Sequence, residues 1–161
     1  MRKRWLSLYV ENETGVLAKI SGLFSGKLYN LDSLTVGETE DATISRMTIG
    51  VKADDKTFEQ ITKQLNRTIE VIKVLDITET KTHDREILFI RVANCTEQDK
   101  LEVFRIAGVF DSKVIDYSRN KVIVQSVQTE DKNNEMLALM KQFFQNRVEV
   151  VRGGVVCIEA L

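Results

Sequence analysis

The strongest constraint on this chain's fold is a change of hydrophobic period that runs in the same order twice. Leu6, Leu8 and Val10 alternate as on a half-buried strand, and the run stops at Glu11-Asn12-Glu13-Thr14-Gly15. Val16, Leu17, Ile20, Leu23 and Phe24 then recur at helical spacing. Residues 29–38 read as a second strand, with Leu34 and Val36 facing one way. Residues 43–51 read as a third, its Met47, Ile49 and Val51 alternating with Arg46, Thr48 and Gly50. Asp54 and Asp55 open a helix, where the macrodipole favours acid, and Phe58, Ile61 and Leu65 form its buried stripe. A strand over 71–77 completes the order β-α-β-β-α-β.

After the polar stretch 79–84 the order begins again. Residues 87–92 make a strand, and Leu101, Phe104 and Gly108, with Val103 and Ala107 beside them, mark a helix. Strands over 113–117 and 122–127 flank a hairpin turn at Ser118-Arg119-Asn120-Lys121. Met136, Met140 and Phe143, with Leu137 and Phe144, mark the last helix. Residues 148–158 close the chain as a strand that Gly153-Gly154 should bulge or bend. Each half is a split β-α-β pair. The expected fold is α+β: two tandem ferredoxin-like domains, residues 1–79 and 85–161, joined by a linker at 80–84. One face of each sheet carries no helix, and domains this small gain stability when another domain or subunit covers it.

Composition and motifs exclude most chemistry. A net charge of −1 over 161 residues gives no footprint for nucleic acid or an anionic membrane. The outward positions of the third strand, Arg46, Thr48 and Gly50, carry no aromatic on which a base could stack. No apolar run is long enough to span a bilayer, and the basic start MRKRW leads straight into a strand, so a cytoplasmic chain is expected. Cys95 and Cys157 form no metal-ligand spacing and read as buried thiols without a disulfide. The single histidine, His83, lies in the polar linker, and there is no nucleophile-base constellation, phosphate loop or HExxH. What remains is the turn that sets Asn12, Thr14 and Gly15 over a helix N-terminus. There, free N–H groups and the positive end of the dipole favour a carboxylate or phosphate. Asn12 or Thr14 is also a good plain N-cap and Gly15 a good turn residue, and spacing alone favours that plainer reading. Asp32, near the start of the second strand, is the one carboxylate close to the proposed site, and a solvent-facing strand residue is the favoured reading for it.

The segments ENETGVLAKISGLFS, YNLDSLTVGET and SRMTI closely resemble the regulatory (small) subunits of acetolactate synthase. QLNRTIEVIKVLDIT closes the first half and REILFIRV opens the second as in that family. E-N-x-x-G-V-L alone indicates only an ACT-type amino-acid-binding domain, which leaves open a free-standing sensor that regulates another enzyme or a transcription pathway. The resemblance implies an N-terminal ACT domain that binds the effector and forms a homodimer, and a C-terminal ferredoxin-like domain that contacts the catalytic subunit. It implies no active site and no cofactor in this chain, since thiamine diphosphate, Mg and FAD belong to the catalytic subunit. It implies activation of that subunit and feedback inhibition by valine or a related amino acid, in branched-chain amino acid biosynthesis. Effector contacts are assigned by the resemblance to Asn12, Gly15 and Asn30, with Thr14, Val16, Leu17 and Leu31 beside them. The chain departs from the family pattern at Leu28, where Gly is usual before the Tyr-Asn pair, and at Gly153 in Arg152-Gly153-Gly154.

Topology adds a constraint. In the split β-α-β plan the strand order is 4-1-3-2, which leaves the second strand at an edge where a two-fold partner can pair with it. Asn12 and Gly15 come after the first strand while Asn30 begins the second, so the two groups lie at opposite ends of one sheet. The two-fold would bring Asn30 of one chain towards Asn12 and Gly15 of the other.

Overall fold

The computed structural model describes residues 1–27 and 29–161; Leu28, and with it the expected effect of Leu28 on the turn into Asn30, lies outside the described residues. The chain divides into two units, Met1–His83 with Val155–Leu161, and Asp84–Gly154.

In the first unit, β1 (Arg2–Glu11) and β3 (Ile44–Ala53) pair antiparallel without a break from Arg2↔Ala53 to Glu11↔Ile44. That register sends Leu6, Leu8 and Val10 to the same face as Met47, Ile49 and Val51, and none of the six is more than 2% exposed. The helix α1 (Val16–Ser25) covers them with Val16, Ile20 and Phe24, and α2 (Asp55–Asn66) with Phe58, Ile61 and Leu65. Asp54 caps α2 by accepting from Thr57 N at 2.8 Å. The edges are β2 (Leu31–Glu38) and β4 (Val71–Asp76), in the order β2-β3-β1-β4. β2 starts two residues later than expected, because the Tyr29 amide donates to Phe24 O at 3.0 Å and residues 29 and 30 finish the helix exit instead. The β2–β3 register shifts between Leu31 and Ser33, a bulge at Asp32.

The helix-free face of this sheet carries Trp5, Ser7, Tyr9, Arg46 and Thr48, and on β2 Ser33 and Thr35. A Cβ on Gly50 would lie 2.8 Å from the Trp5 ring, so only glycine lets the indole lie there. Arg46 Nε donates to Ser7 Oγ at 2.9 Å, and its guanidinium sits 5.3 Å from the Tyr9 ring centre. The chain's own end reaches this unit: the Val155 amide donates to Ser33 Oγ at 2.9 Å, and Thr35 Oγ1 donates to Val155 O at 2.8 Å.

The same order then repeats as β5 (Thr82–Val92), α3 (Glu97–Val109), β6 (Lys113–Tyr117), β7 (Val122–Gln128), α4 (Glu130–Phe144), a 3-10 turn (Gln145–Arg147) and β8 (Val148–Glu159), with β8 from Val155 onward falling in the first unit. The order in this second sheet is β6-β7-β5-β8. β5 begins at Thr82, inside the stretch expected as linker. The α3 stripe is rotated from the expected one: Val103, Ile106 and Ala107 are buried, while Leu101 and Phe104 are about half exposed. Apolar residues occupy both sides of this helix, so periodicity could not set its phase. In α4 the inward residue is Phe144 rather than Phe143, with Met136 and Met140 as expected. Cys95 is buried and Cys157 half-buried, with no disulfide between them.

A charged group is buried at the edge of this second core. Glu86, 3% exposed, accepts from Arg152 Nε and Nη2 at 2.8 Å each and from Asn133 Nδ2 at 3.1 Å. Asn133 in turn accepts from Ser126 Oγ at 2.7 Å. The network offsets the desolvation of the carboxylate.

Asp99 at the start of α3 accepts from Arg147 Nη1 at 2.9 Å and from the Thr96 amide at 2.8 Å. The Arg147 hydrogen bond, foremost, lowers its carboxyl from 3.8 to about 2. A lowered folded-state value means the bridge contributes fully above 3.8 and is lost as pH falls towards about 2. Asp99→Asn should therefore flatten the loss of stability across that window in urea unfolding series at stepped pH. An unchanged slope would show that the bridge contributes nothing.

Candidate functional site

The end of β1 runs into α1 through a turn that leaves the helix without a side-chain cap. Gly15 is the N-cap residue, at φ 87 and ψ −10, the left-handed region that glycine enters without steric cost. The plain capping expected of Asn12 or Thr14 is not made. The turn folds back towards the β2–β3 connection, and Asn12 is spent there: its amide donates to Thr43 O at 2.8 Å and its Nδ2 to Ala42 O at 2.9 Å. Thr43 Oγ1 donates to Asp41 Oδ1 at 2.6 Å, which stiffens that connection and holds the Asp41 carboxyl below its ordinary value. Thr14 is exposed and caps nothing.

The first hydrogen bond of α1 runs from Lys19 N to Gly15 O, at 3.0 Å. The Val16 amide makes only a long bond, 3.4 Å, to Glu13 O, and among the described residues the amides of Leu17 and Ala18 meet no acceptor. No acidic side chain occupies the first turn. The other three α-helices differ in both respects: Asp54, Thr96 and Thr129 cap them, and each has acid in its first turn. An anion at α1 would thus meet two free N–H groups and an uncompensated dipole. Ala18 was not among the residues singled out in the sequence, although it stands where a first-turn amide is always orphaned. The Val16 side chain is committed to the core, whereas Leu17 is 45% exposed beside the turn.

Asn30 and Leu31 are elsewhere. Asn30 is exposed, and Leu31 packs against the edge of the core. The rungs Glu11↔Ile44 and Leu31↔Val51 lie seven residues apart on β3, about 24 Å at the strand rise. A single chain therefore brings Asn12, Thr14, Gly15, Val16 and Leu17 together, and Asn30 with Leu31, but does not join the two groups. Among the described residues no three His, Cys, Asp or Glu side chains are arranged to hold a metal ion, and no helix is long and apolar enough to cross a membrane.

Two tandem ferredoxin-like units, the first with an uncapped helix entry, fit the ACT-domain class of chain. The family described as "AHAS small subunit-like ACT domain" matches residues 6–73, and "Small subunit of acetolactate synthase" matches residues 85–160. A probable acetolactate synthase small subunit of Archaeoglobus fulgidus is 42% identical over 158 residues, covering 94% of this chain and 98% of the relative. The acetolactate synthase isozyme 3 small subunit of Escherichia coli is 38% identical over 154 residues, covering 96% and 93%. The crystal structure of the acetolactate synthase small subunit from Thermotoga maritima superposes with a TM-score of 0.85 at 35% identity, covering 100% of this chain and 99% of that one. The chain belongs to the acetolactate synthase small-subunit family. It is a regulatory chain and is not catalytic alone.

The glycine at the helix entry is there for its conformation and not for space, since a Cβ on Gly15 would meet nothing within 4 Å. Gly15→Ala should therefore cost about 1–2 kcal/mol in chemical denaturation, and Gly15→Asn distinctly less, because Asn tolerates the left-handed region. Equal costs for the two would mean that something other than backbone strain selects glycine.

Proposed function

We propose that this chain binds valine, or a related branched-chain amino acid, between the ACT domains of two copies. In doing so it regulates the thiamine-diphosphate-dependent catalytic subunit of acetolactate synthase in the cytoplasm, raising its turnover and conferring feedback inhibition. The observation that carries the reading is the uncapped start of α1. Its Leu17 and Ala18 amides suit the effector carboxylate, and the family resemblance favours an amino acid over a phosphate.

The separation of the two residue groups supports a shared site. β2 is an edge strand that pairs with β3 alone, so its outer side is open to a second copy. A two-fold that sets the two β2 strands antiparallel carries Asn30 and Leu31 of one chain towards Asn12 and Gly15 of the other. Asn12 has its Nδ2 committed to Ala42, which leaves Oδ1 for the effector ammonium together with Asn30. Leu17 and Leu31 supply apolar surface for the branched side chain. In this reading the first unit binds effector and dimerises and the second contacts the catalytic subunit, although β5 takes in part of the expected linker 80–84 and Val155–Leu161 fall with the first unit.

Alone, the chain should form no acetolactate from pyruvate; added to the catalytic subunit it should raise turnover and make it valine-sensitive. Gly15→Asp puts a negative side chain at the carboxylate position, and Asn30→Ala removes a polar partner, a loss of about 1–3 kcal/mol. Each homodimer should lose inhibition. In purified heterodimers of the two variants one site carries both lesions and the other neither, so calorimetry should find about half of the wild-type valine capacity at wild-type affinity. A heterodimer with no site of wild-type affinity would show that the site is not shared between copies.

A further inference from the structure

We infer that Ser33 and Thr35 couple the effector site to the second unit through β8, an inference that rests on the effector reading above. β8 is a single strand whose residues up to Gly154 belong to the second unit and whose residues from Val155 belong to the first. It is held on either side of one joint. Before the joint, Arg152 makes its two-pronged bridge to buried Glu86, and its Nη1 donates to Asn134 Oδ1 at 2.7 Å. Gly153 is pressed against β5, since a Cβ there would lie 2.6 Å from Ile87 Cγ2. Gly154, at φ 84, is the left-handed joint itself. Immediately after it, the two hydroxyls of β2 take both main-chain groups of Val155.

Those two hydrogen bonds make a firm hold. Ser33 and Thr35 are two apart, so both side chains leave β2 on the same face and match the N–H and C=O of one extended residue. Val155 is 2% exposed and Ser33 8%. The bond from the Val155 amide to Ser33 Oγ is buried, so if β2 shifts Val155 must move with the strand or leave a buried group unpaired. β2 has freedom to shift, because it is paired on one side only and carries a bulge at Asp32. Asn30 and Leu31 stand immediately before that bulge and Ser33 immediately after it. An effector that draws on Asn30 therefore acts on the segment that grips Val155. The displacement passes through Gly154 to a strand clamped at Arg152.

The test uses the chain reconstituted with its catalytic subunit and valine as the probe. Ser33→Ala combined with Thr35→Val should leave activation without valine unchanged and valine affinity by calorimetry within about twofold of wild type. Couplings between sites are typically about 5–150-fold; here the inhibition at saturating valine should largely disappear. Thr35→Ser, which keeps the hydroxyl, should remain inhibited. A double variant that binds valine and is inhibited as strongly as wild type overturns the inference. So does one that loses valine affinity, because the hydroxyls would then serve the site and not the coupling. If the wild-type chain binds no valine, the effector reading itself fails, and this shows in the binding arm before any variant is made. Should the double variant not fold, hydrogen exchange of the wild-type holoenzyme decides: valine must alter exchange across residues 150–158, and no change there overturns the coupling.

Discussion

The unbroken antiparallel ladder between β1 and β3 is the contact on which the rest of the first unit depends. Side chains alternate faces along a strand, so a slip of one residue would turn Leu6, Leu8 and Val10 away from the helices and bring Ser7 and Tyr9 under them. With the register as it is, six fully buried side chains form the floor on which α1 and α2 pack. The same ladder decides where function can lie. It ends at Glu11↔Ile44, so the chain leaves the sheet beside the β2–β3 connection, and Asn12 ties the two together there.

Just past the end of the ladder, the chain departs from the way it treats its other helices. Three helix entries are capped and carry acid, at Asp54, Thr96 and Thr129. A side-chain cap is typically worth about 1 kcal/mol. At α1 the chain forgoes it, and it places at the N-cap a glycine in a conformation costly to other residues. A helix of ten residues with an open entry is not favoured by local energetics. The sheet beneath holds it, and the open amides become available to a ligand. The second unit reuses the topology with a closed entry at α3, where Thr96 and Asp99 cap one another. One fold thus supplies one helix entry left open and another closed by its own side chains.

The element order and the edge position of β2 were legible because Leu6-Leu8-Val10 and Met47-Ile49-Val51 alternate cleanly and α2 has a narrow stripe. The phase of α3 was not, because Leu101 and Phe104 mimic an inward stripe while Lys100, with its head paired to Glu97 over the Tyr117 ring, occupies a buried position. Asn12 and Gly15 could be picked out by residue type, but not the division of labour between them. An asparagine near a helix start reads as a cap, and only the β2–β3 connection, distant in sequence, shows that it is spent elsewhere. The grip of Ser33 and Thr35 on Val155 left no pattern at all, since it joins residues more than a hundred positions apart through hydroxyls that look ordinary on an edge strand.

In the proposed site the open entry of α1 receives the effector's carboxylate. The most direct measurement is a valine titration of the isotopically labelled chain, monitored at the amide resonances of Leu17 and Ala18. These two signals should move in step with binding, as an orphaned N–H does when it gains a charged acceptor, and the Asn30 side-chain amide should move with them. Saturable valine binding that leaves the Leu17 and Ala18 amides unmoved would mean that the carboxylate binds elsewhere.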